Sequence, residues 1–150
     1  MMEEICQYLR NWFTRAQCYG EFTIINGELQ TQYDTGSEFS NISIVEGQYF
    51  RIIDSKLNDG VYKYPTNKLK DETFSGAVWT MSIPAAVEGI AKEIADWQTK
   101  YGGADSQMLS PFTSESFGGY SYSKGSSANA AGGITWANVF GSRLAPWRKI

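Results

Sequence analysis

The side chains that could carry chemistry in this chain are hydroxyls, carboxylates and two thiols, because the sequence contains no histidine. The hydroxyls are concentrated between Pro111 and Lys124, in the segment PFTSESFGGYSYSK. Without histidine, a serine or cysteine nucleophile lacks its usual general base, and zinc lacks its commonest ligand. The sequence also lacks the motifs of serine hydrolases, P-loop nucleotidases, zinc proteases and dinucleotide-binding enzymes. We therefore expect a protein that is not an enzyme.

Two pairs of acids have the residue types of a glycosidase, namely Asp54 with Asp59 and Asp71 with Glu72. Glycoside hydrolysis needs two carboxylates at a defined separation. Acid pairs occur in every soluble domain, so neither pair is expected to be catalytic. Glu115 is the only acid between residues 111 and 124, and its expected role is to cap a helix or to accept a hydrogen bond between subunits.

The two thiols, Cys6 and Cys18, match no metal-binding spacing and lie near a predicted amphipathic helix. Buried, unreactive thiols in a reducing compartment are therefore expected, and no cofactor or metal is predicted. The first residues lack the apolar stretch of a signal peptide, and no run approaches the roughly eighteen apolar residues of a membrane-spanning helix. We expect synthesis in the cytoplasm and no membrane association.

Length and charge restrict the function further. The chain has 150 residues, which fits one main hydrophobic core, and its net charge is -3. Proteins that bind nucleic acid normally present a basic surface, so binding of DNA by the whole body is disfavoured. A short basic stretch occurs only at the end of the chain, from Arg143 to Ile150.

Hydrophobic periodicity predicts the elements of the first half. Apolar residues at three- and four-residue steps predict a helix over Met2 to Gln17. Asn26-Gly27 between two short runs is typical of a two-residue hairpin turn. Extended patterns between Asn41 and Tyr64, interrupted by the turn LNDG, predict a small antiparallel meander. A further extended run leads to Pro84, a residue suited to the first turn of a helix.

The helix after Pro84 is the clearest element of the sequence, and Gly102 and Gly103 are predicted to end it. Its apolar residues form one stripe, which is expected to lie in the core or in a subunit interface. The stripe consists of Val87, Ile90, Ala91, Ile94, Trp97 and Tyr101.

The composition changes after Gly103, which predicts an α+β body over residues 1–103 and an arm over residues 104–150. The stretch from Lys124 to Gly133 is rich in Gly, Ser and Ala and is typical of a flexible connection. A terminal helix should follow, with Thr135 as its N-cap and Pro146 beyond its end. Large apolar and basic side chains on this helix and its tail have the composition of a docking surface. They are Trp136, Phe140, Leu144, Trp147, Arg148 and Lys149.

Binding of a carbohydrate is the alternative function. Aromatic residues on strands can stack on sugar rings, although in a small sheet most of them are expected to fill the core. The aromatic residues on the predicted strands are Tyr49, Phe50, Tyr62, Tyr64 and Trp79.

The second half of the chain resembles a family of phage proteins. A helix that ends in W-x-x-K-Y is followed by SPF-x-SESFGGYSYSK, a Gly/Ala spacer and W-x-x-VF-x-x-x-L-x-x-WRKI. This order is similar to that of the head-tail connector or adaptor proteins of tailed phages and prophages of Gram-positive bacteria. The resemblance covers residues 84–150, a little under half of the chain.

The resemblance implies a structural virion protein located in the neck. Twelve copies would form a ring that joins the portal to a neck, stopper or tail protein and continues the channel, through which DNA passes without sequence-specific binding. The serine segment would lie at contacts between subunits. Its interface residues are Ser114, Glu115, Ser116, Phe117, Gly118, Gly119, Tyr120 and Ser121.

The chain also departs from the family. The known connectors are mostly helical, whereas residues 21–83 are predicted to form a β-rich insert. Another tail or baseplate component is therefore a further alternative. If the terminal helix docks on neighbouring subunits, a chain that ends at Gly133 should fold but fail to join the portal.

Overall fold

The computed structural model describes residues 1–101, 114–117, 120–123 and 135–150 and has the predicted α+β architecture. The three helices are α1 (Met2–Leu9), α2 (Ala85–Tyr101) and α3 (Trp136–Leu144), and a 3-10 helix (Ala145–Trp147) follows α3. The strands are β1 (Thr14–Ile25), β2 (Glu28–Leu29), β3 (Gln32–Asp34), β4 (Phe39–Asn41), β5 (Tyr49–Ile53), β6 (Gly60–Lys63), β7 (Glu72–Met81), β8 (Ser114–Phe117) and β9 (Tyr120–Ser123).

Helix α1 is shorter than predicted, because the chain leaves the helix after Leu9. Arg10 adopts the left-handed conformation, with φ of 52°. The backbone N–H of Arg10 donates to the carbonyl of Gln7 at 3.1 Å, and that of Asn11 donates to the carbonyl of Cys6 at 3.0 Å. These two bonds form the Schellman motif that ends many helices. Glycine is the usual residue at this position. Because an arginine occupies it here, the sequence did not indicate that the helix ends after Leu9.

Most of the strands form one antiparallel sheet in the order β4-β3-β1-β7-β5-β6, and β2 pairs with the end of β1. The predicted turn at Asn26-Gly27 is confirmed, with φ of 55° and 80°, and it connects β1 to β2. The predicted meander is confirmed in β5 and β6, which pair from Tyr49 with Lys63 to Ile52 with Gly60. Only the end of β1 next to this turn was predicted, because the first four of its twelve residues were assigned to the first helix.

The sheet separates two hydrophobic cores. On one face of the sheet, side chains pack against the short strands and loops between β1 and β7. This sheet core contains Phe22, Ile24, Leu29, Tyr33, Ile42, Phe50, Ile52, Leu69, Phe74 and Val78. The other core, the helical core, lies among α1, α2, α3 and the end of β7. The predicted stripe on α2 is confirmed as a core stripe, because five of its members are buried there and Tyr101 packs against them.

Helix α3 belongs to the helical core. Phe140 and Leu144 are both 0% exposed, and Val139 is buried beside them. The rings of Trp97 and Phe140 meet edge to face, with centroids 6.1 Å apart. This differs from the expectation of a docking helix on a separate arm, because the apolar stripe of α3 is covered by α1 and α2 of the same chain.

Candidate functional site

The candidate site is the C-terminal region, and its first part is the start of α3. Thr135 is the N-cap, as predicted. The side-chain oxygen of Asn138 accepts hydrogen bonds from the Thr135 backbone N–H at 2.9 Å and from the Thr135 hydroxyl at 2.7 Å. A cap of this kind satisfies backbone donors that have no partner within the helix. The chain therefore enters α3 in a fixed direction.

Helix α3 approaches α1 closely at Gly141. A Cβ atom at this position would lie 2.5 Å from the hydroxyl oxygen of Tyr8, so only glycine fits without a shift of that ring. The ring of Tyr8 also meets Trp136 edge to face at 5.2 Å. These contacts hold α3 against α1 at two successive turns of the helix.

Helix α3 is also paired with α2 at the surface. The guanidinium of Arg143 donates two hydrogen bonds to the carboxylate of Glu93, at 2.7 and 2.9 Å. The two side chains remain 43% and 38% exposed, so water screens most of the attraction. Such a pair contributes roughly 0.2–1 kcal/mol. The apolar contacts of α3 therefore dominate its stability.

The tail after α3 lies against the segment that follows α1. The backbone N–H of Lys149 donates to the carbonyl of Leu9 at 2.9 Å. The side-chain amide of Asn11 donates to the carbonyl of Trp147, also at 2.9 Å. The guanidinium of Arg148 lies over the ring of Tyr8, 5.5 Å from its centroid. The tail is thus hydrogen-bonded to its own chain as far as Lys149.

These positions divide the predicted docking residues into three groups. Phe140 and Leu144 are inside the helical core, so another subunit cannot contact them unless that core opens. Trp136 and Trp147 are half-buried at the rim of the same core. Arg148 and Lys149 are exposed, and so is Ile150, which was not among the predicted residues. The surface that remains for a partner is therefore basic and smaller than expected.

The serine segment forms a separate two-stranded sheet. Strands β8 and β9 are antiparallel, with Ser114 opposite Ser123 and Phe117 opposite Tyr120. The predicted contact residues Ser114, Glu115, Ser116 and Phe117 lie on β8, and Tyr120 and Ser121 lie on β9. Strand β9 lies beside α3. The remaining predictions fall outside the described residues. They concern Gly118, Gly119, the helix end at Gly102 and the spacer at 124–133.

The acids that could form a glycosidase pair hold loops in place. The carboxylate of Asp71 accepts from the backbone N–H groups of Asn26 and Gly27, at 3.0 and 2.8 Å. Asp59 accepts from the backbone N–H of Ser55 at 2.7 Å. These bonds fix the turn between β1 and β2 and the loop between β5 and β6.

Glu72 accepts hydrogen bonds from the Ser55 hydroxyl and, at 3.0 Å, from the side-chain amide of Asn58. Burial raises the pKa of the Glu72 carboxyl, but these hydrogen bonds outweigh burial, so its pKa is lowered overall. A general acid at neutral pH needs a raised pKa.

Within the described residues, no group of three or more potential ligands could hold a metal ion.

Cys6 is completely buried in the helical core. Burial raises the pKa of its thiol to about 12, although the charge of Arg51 acts in the opposite direction. Because the thiolate is the reactive form, this thiol stays neutral and inert near neutral pH.

Most of the aromatic rings considered for the sugar-binding alternative pack against other side chains of the protein. Phe50 is 0% exposed in the sheet core, and Tyr62 and Tyr64 pack against that core. Tyr49 packs against the helical core. A flat, exposed pair of rings on which a sugar could stack is therefore not formed by these four side chains.

Sequence reasoning missed one cluster, which consists of Trp12, Arg51 and Trp79. The guanidinium carbon of Arg51 lies 3.6 Å from the ring centroid of Trp12 and 5.1 Å from that of Trp79. Arg51 and Trp79 are cross-strand partners on β5 and β7, whereas Trp12 comes from the segment after α1. No spacing in the sequence reveals this meeting, because it depends on the strand register and on the early end of α1.

No family model, characterised protein or solved structure matches this chain. Within the described residues, no helix is both long and apolar enough to cross a lipid bilayer.

Proposed function

We propose that the chain is a head-tail connector subunit of a tailed phage. Copies form a ring, expected to have twelve members, that joins the portal to the neck or tail and continues the DNA channel. The observation that carries the proposal is the serine segment, which follows the central helix, precedes the terminal helix and pairs as a hairpin outside the main sheet.

The hairpin supports the proposal because it has an edge to which a strand can be added. Among the described residues, β8 pairs with no strand except β9. In a hairpin with a two-residue connection, Phe117 and Tyr120 exchange hydrogen bonds, so the backbone N–H of Ser116 points away from β9. An unpaired edge can accept a strand from another chain. We infer that β8 pairs with a neighbouring subunit.

The exposed end of the tail supplies a second contact. Arg148 and Lys149 carry positive charge on a chain whose net charge is negative, and both are exposed next to the hydrogen bond from Lys149 to Leu9. Oppositely charged surfaces orient partners and accelerate their association. The tail end therefore fits an acidic surface on the portal or on an adjacent subunit.

The charge of the whole chain is compatible with the proposed channel. A net charge of -3 provides no general attraction for the DNA backbone. DNA can then pass along a ring of these subunits without being held by it.

Two variants at one position test the inferred pairing. Ser116→Pro removes the outward N–H of β8, whereas Ser116→Ala keeps that N–H and removes only the hydroxyl. In virions assembled with each variant, negative-stain images should show the neck ring with Ser116→Ala and lose it with Ser116→Pro. A normal neck ring with the proline variant would show that β8 does not pair between subunits.

Deletion of the gene tests the function itself. Particles assembled without the protein should contain capsids that lack the neck ring and fail to hold a tail. Particles with an unchanged neck would exclude the connector function, whatever the behaviour of the Ser116 variants.

A further inference from the structure

A groove at the surface of the sheet brings two acids together. Its volume is about 440 Å³, and it is lined by residues of β1, β3, β7 and the turn after β3. Glu21 on β1 lies directly opposite Asp34 on β3. Neither carboxylate makes an ion pair within the described residues, and no basic residue lines the groove. Like charges that are directly opposite each other destabilise a sheet, and such conflicts are expected mainly at functional sites.

Three glycines also line the groove. Gly20 and Gly76 are cross-strand partners on β1 and β7, and Gly36 lies in the turn after β3. A Cβ atom at Gly36 would meet nothing within 4 Å, so the space beside it is open. Because glycine has no side chain, another peptide can approach the backbone closely at these positions.

Two exposed aromatic rings accompany the acids on the same face of the sheet. Tyr19 is two residues before Glu21 on β1, so both side chains point to one face. Phe39 on β4 is the cross-strand partner of Asp34. Tyr19 is 58% exposed and Phe39 is 68% exposed. Because aromatic rings bind apolar groups and cations, this surface suits a peptide that carries both positive charge and an apolar side chain.

The tail after α3 has these complementary properties. Arg148 and Lys149 are adjacent and exposed, and neither makes an ion pair in the described part of the chain. The fully exposed apolar side chain of Ile150 follows them. The bond from the Lys149 backbone N–H to the Leu9 carbonyl already holds the tail. A segment that is held in this way loses less conformational entropy when it binds.

The tail does not occupy the groove of its own chain. It lies against Tyr8 and Leu9 of α1, and none of the residues that line the groove belongs to the helical core around α1. No hydrogen bond or ion pair among the described residues joins the tail to the groove. Each copy therefore presents the tail and the groove on different parts of its surface. A contact between two different surfaces is head-to-tail, and it forms a ring when the rotation between subunits closes.

We propose that the groove binds the tail of a second copy of this chain, from Arg148 to Ile150. The two basic side chains bind the carboxylates of Glu21 and Asp34, and Ile150 packs against the exposed rings beside them. The proposal rests on the proposed function, because it identifies the acidic surface of the adjacent subunit that receives the tail.

Charge reversal in the full chain tests this contact. In sedimentation velocity at low salt, the unmodified chain should associate as its concentration rises, and added sodium chloride should weaken the association. Lys149→Glu and Glu21→Lys should each weaken it about tenfold, and the double variant should restore it. Absence of association in the unmodified chain would overturn the proposal. Single variants that associate normally, or a double variant that does not recover, would overturn it as well.

A control variant and a second measurement support the test. Lys92→Glu makes the same change in net charge as Lys149→Glu at an exposed position of α2, and it should leave the association unchanged. The second measurement needs no variant. Carbodiimide treatment of mixed unlabelled and nitrogen-15-labelled chains should join Lys149 of one chain to Glu21 or Asp34 of another, as detected by mass spectrometry. Cross-links that never include this pair of peptides would contradict the proposal.

Failure of this proposal can be distinguished from failure of the connector function. If the tail does not bind the groove but deletion of the gene still removes the neck ring, the connector function stands and the tail contacts another surface. If the tail binds the groove but the neck is unchanged by the deletion, the chain self-associates without being a connector.

Discussion

Helix α3 and the β8–β9 hairpin belong to the same predicted arm but are held in place by different forces. The helix buries Phe140 and Leu144 in a core shared with α1 and α2, whereas the hairpin forms a sheet of its own. An isolated two-stranded hairpin is at best marginally stable in water. The part with large apolar side chains therefore completes the core of the subunit, while the part rich in serine forms a small sheet outside the main one.

Removal of α3 should have the largest effect. A chain that ends at Gly133 loses three buried side chains of the helical core and exposes the faces of α1 and α2 that cover them. Loss of each large side chain costs about 2–5 kcal/mol, against a total stability of about 5–15 kcal/mol for a typical domain. We expect this chain to be unfolded or aggregated in circular dichroism and sedimentation measurements. A folded truncated chain would support the original expectation of a separable arm.

A single substitution in α3 should have the next largest effect. Phe140→Ala removes a fully buried ring that packs against Trp97 and should lower the free energy of unfolding by about 3–5 kcal/mol. Ser142→Ala, on the exposed side of the same helix, should change it by less than about 0.5 kcal/mol. Urea denaturation measures both. Equal effects would mean that α3 is not packed in this orientation.

The hydrogen bonds of Asn11, which hold the tail after α3, should contribute less to the free energy of unfolding. Asn11→Ala removes the donor to the Trp147 carbonyl and the acceptor of the Phe13 backbone N–H. We expect a loss of about 1–2 kcal/mol, because each such hydrogen bond contributes about 0.5–1.5 kcal/mol. Asn11→Asp keeps the acceptor but places a carboxylate oxygen against the Trp147 carbonyl, where two acceptors repel, so it should destabilise at least as much. If both variants unfold at the same urea concentration as the original chain, the tail is not held by Asn11.

Disruption of the hairpin should have the smallest effect on a single subunit. Glu115→Pro removes the N–H that β8 directs toward Tyr122 on β9. Because the hairpin is not part of the main sheet, this change and its control Glu115→Ala should each alter the free energy of unfolding by less than about 1 kcal/mol. A much larger loss in the proline variant alone would show that the hairpin is part of the folded body.

Several elements could be predicted from local patterns. The turn at Asn26-Gly27 and the stripe on α2 were found because residue type and spacing specify them directly. The N-cap at Thr135 was found for the same reason. The end of α1 was missed, since an arginine occupies the left-handed position that glycine usually marks. The start of strand β1 was missed with it, because Trp12, Phe13 and Ala16 continue the helical spacing beyond the actual end of the helix.

The candidate site was only partly predictable. The sequence placed a basic, aromatic helix after the serine segment, and the structure has a helix at that position. Where its side chains point was not predictable, and neither was the meeting of Arg51 with Trp12 and Trp79. That meeting requires both the pairing of β5 with β7 and the turn after α1.

The sequence by itself determined where most of the helical and extended segments lie and which face of α2 is apolar, because these follow from spacing along the chain. Only the tertiary structure decided what covers those faces. Hydrophobic attraction has no direction and does not distinguish a neighbouring helix of the same chain from a helix of another chain. Phe140 and Leu144 therefore had the composition of a docking surface, and the packing of α1 and α2 around them made them the core of a single subunit.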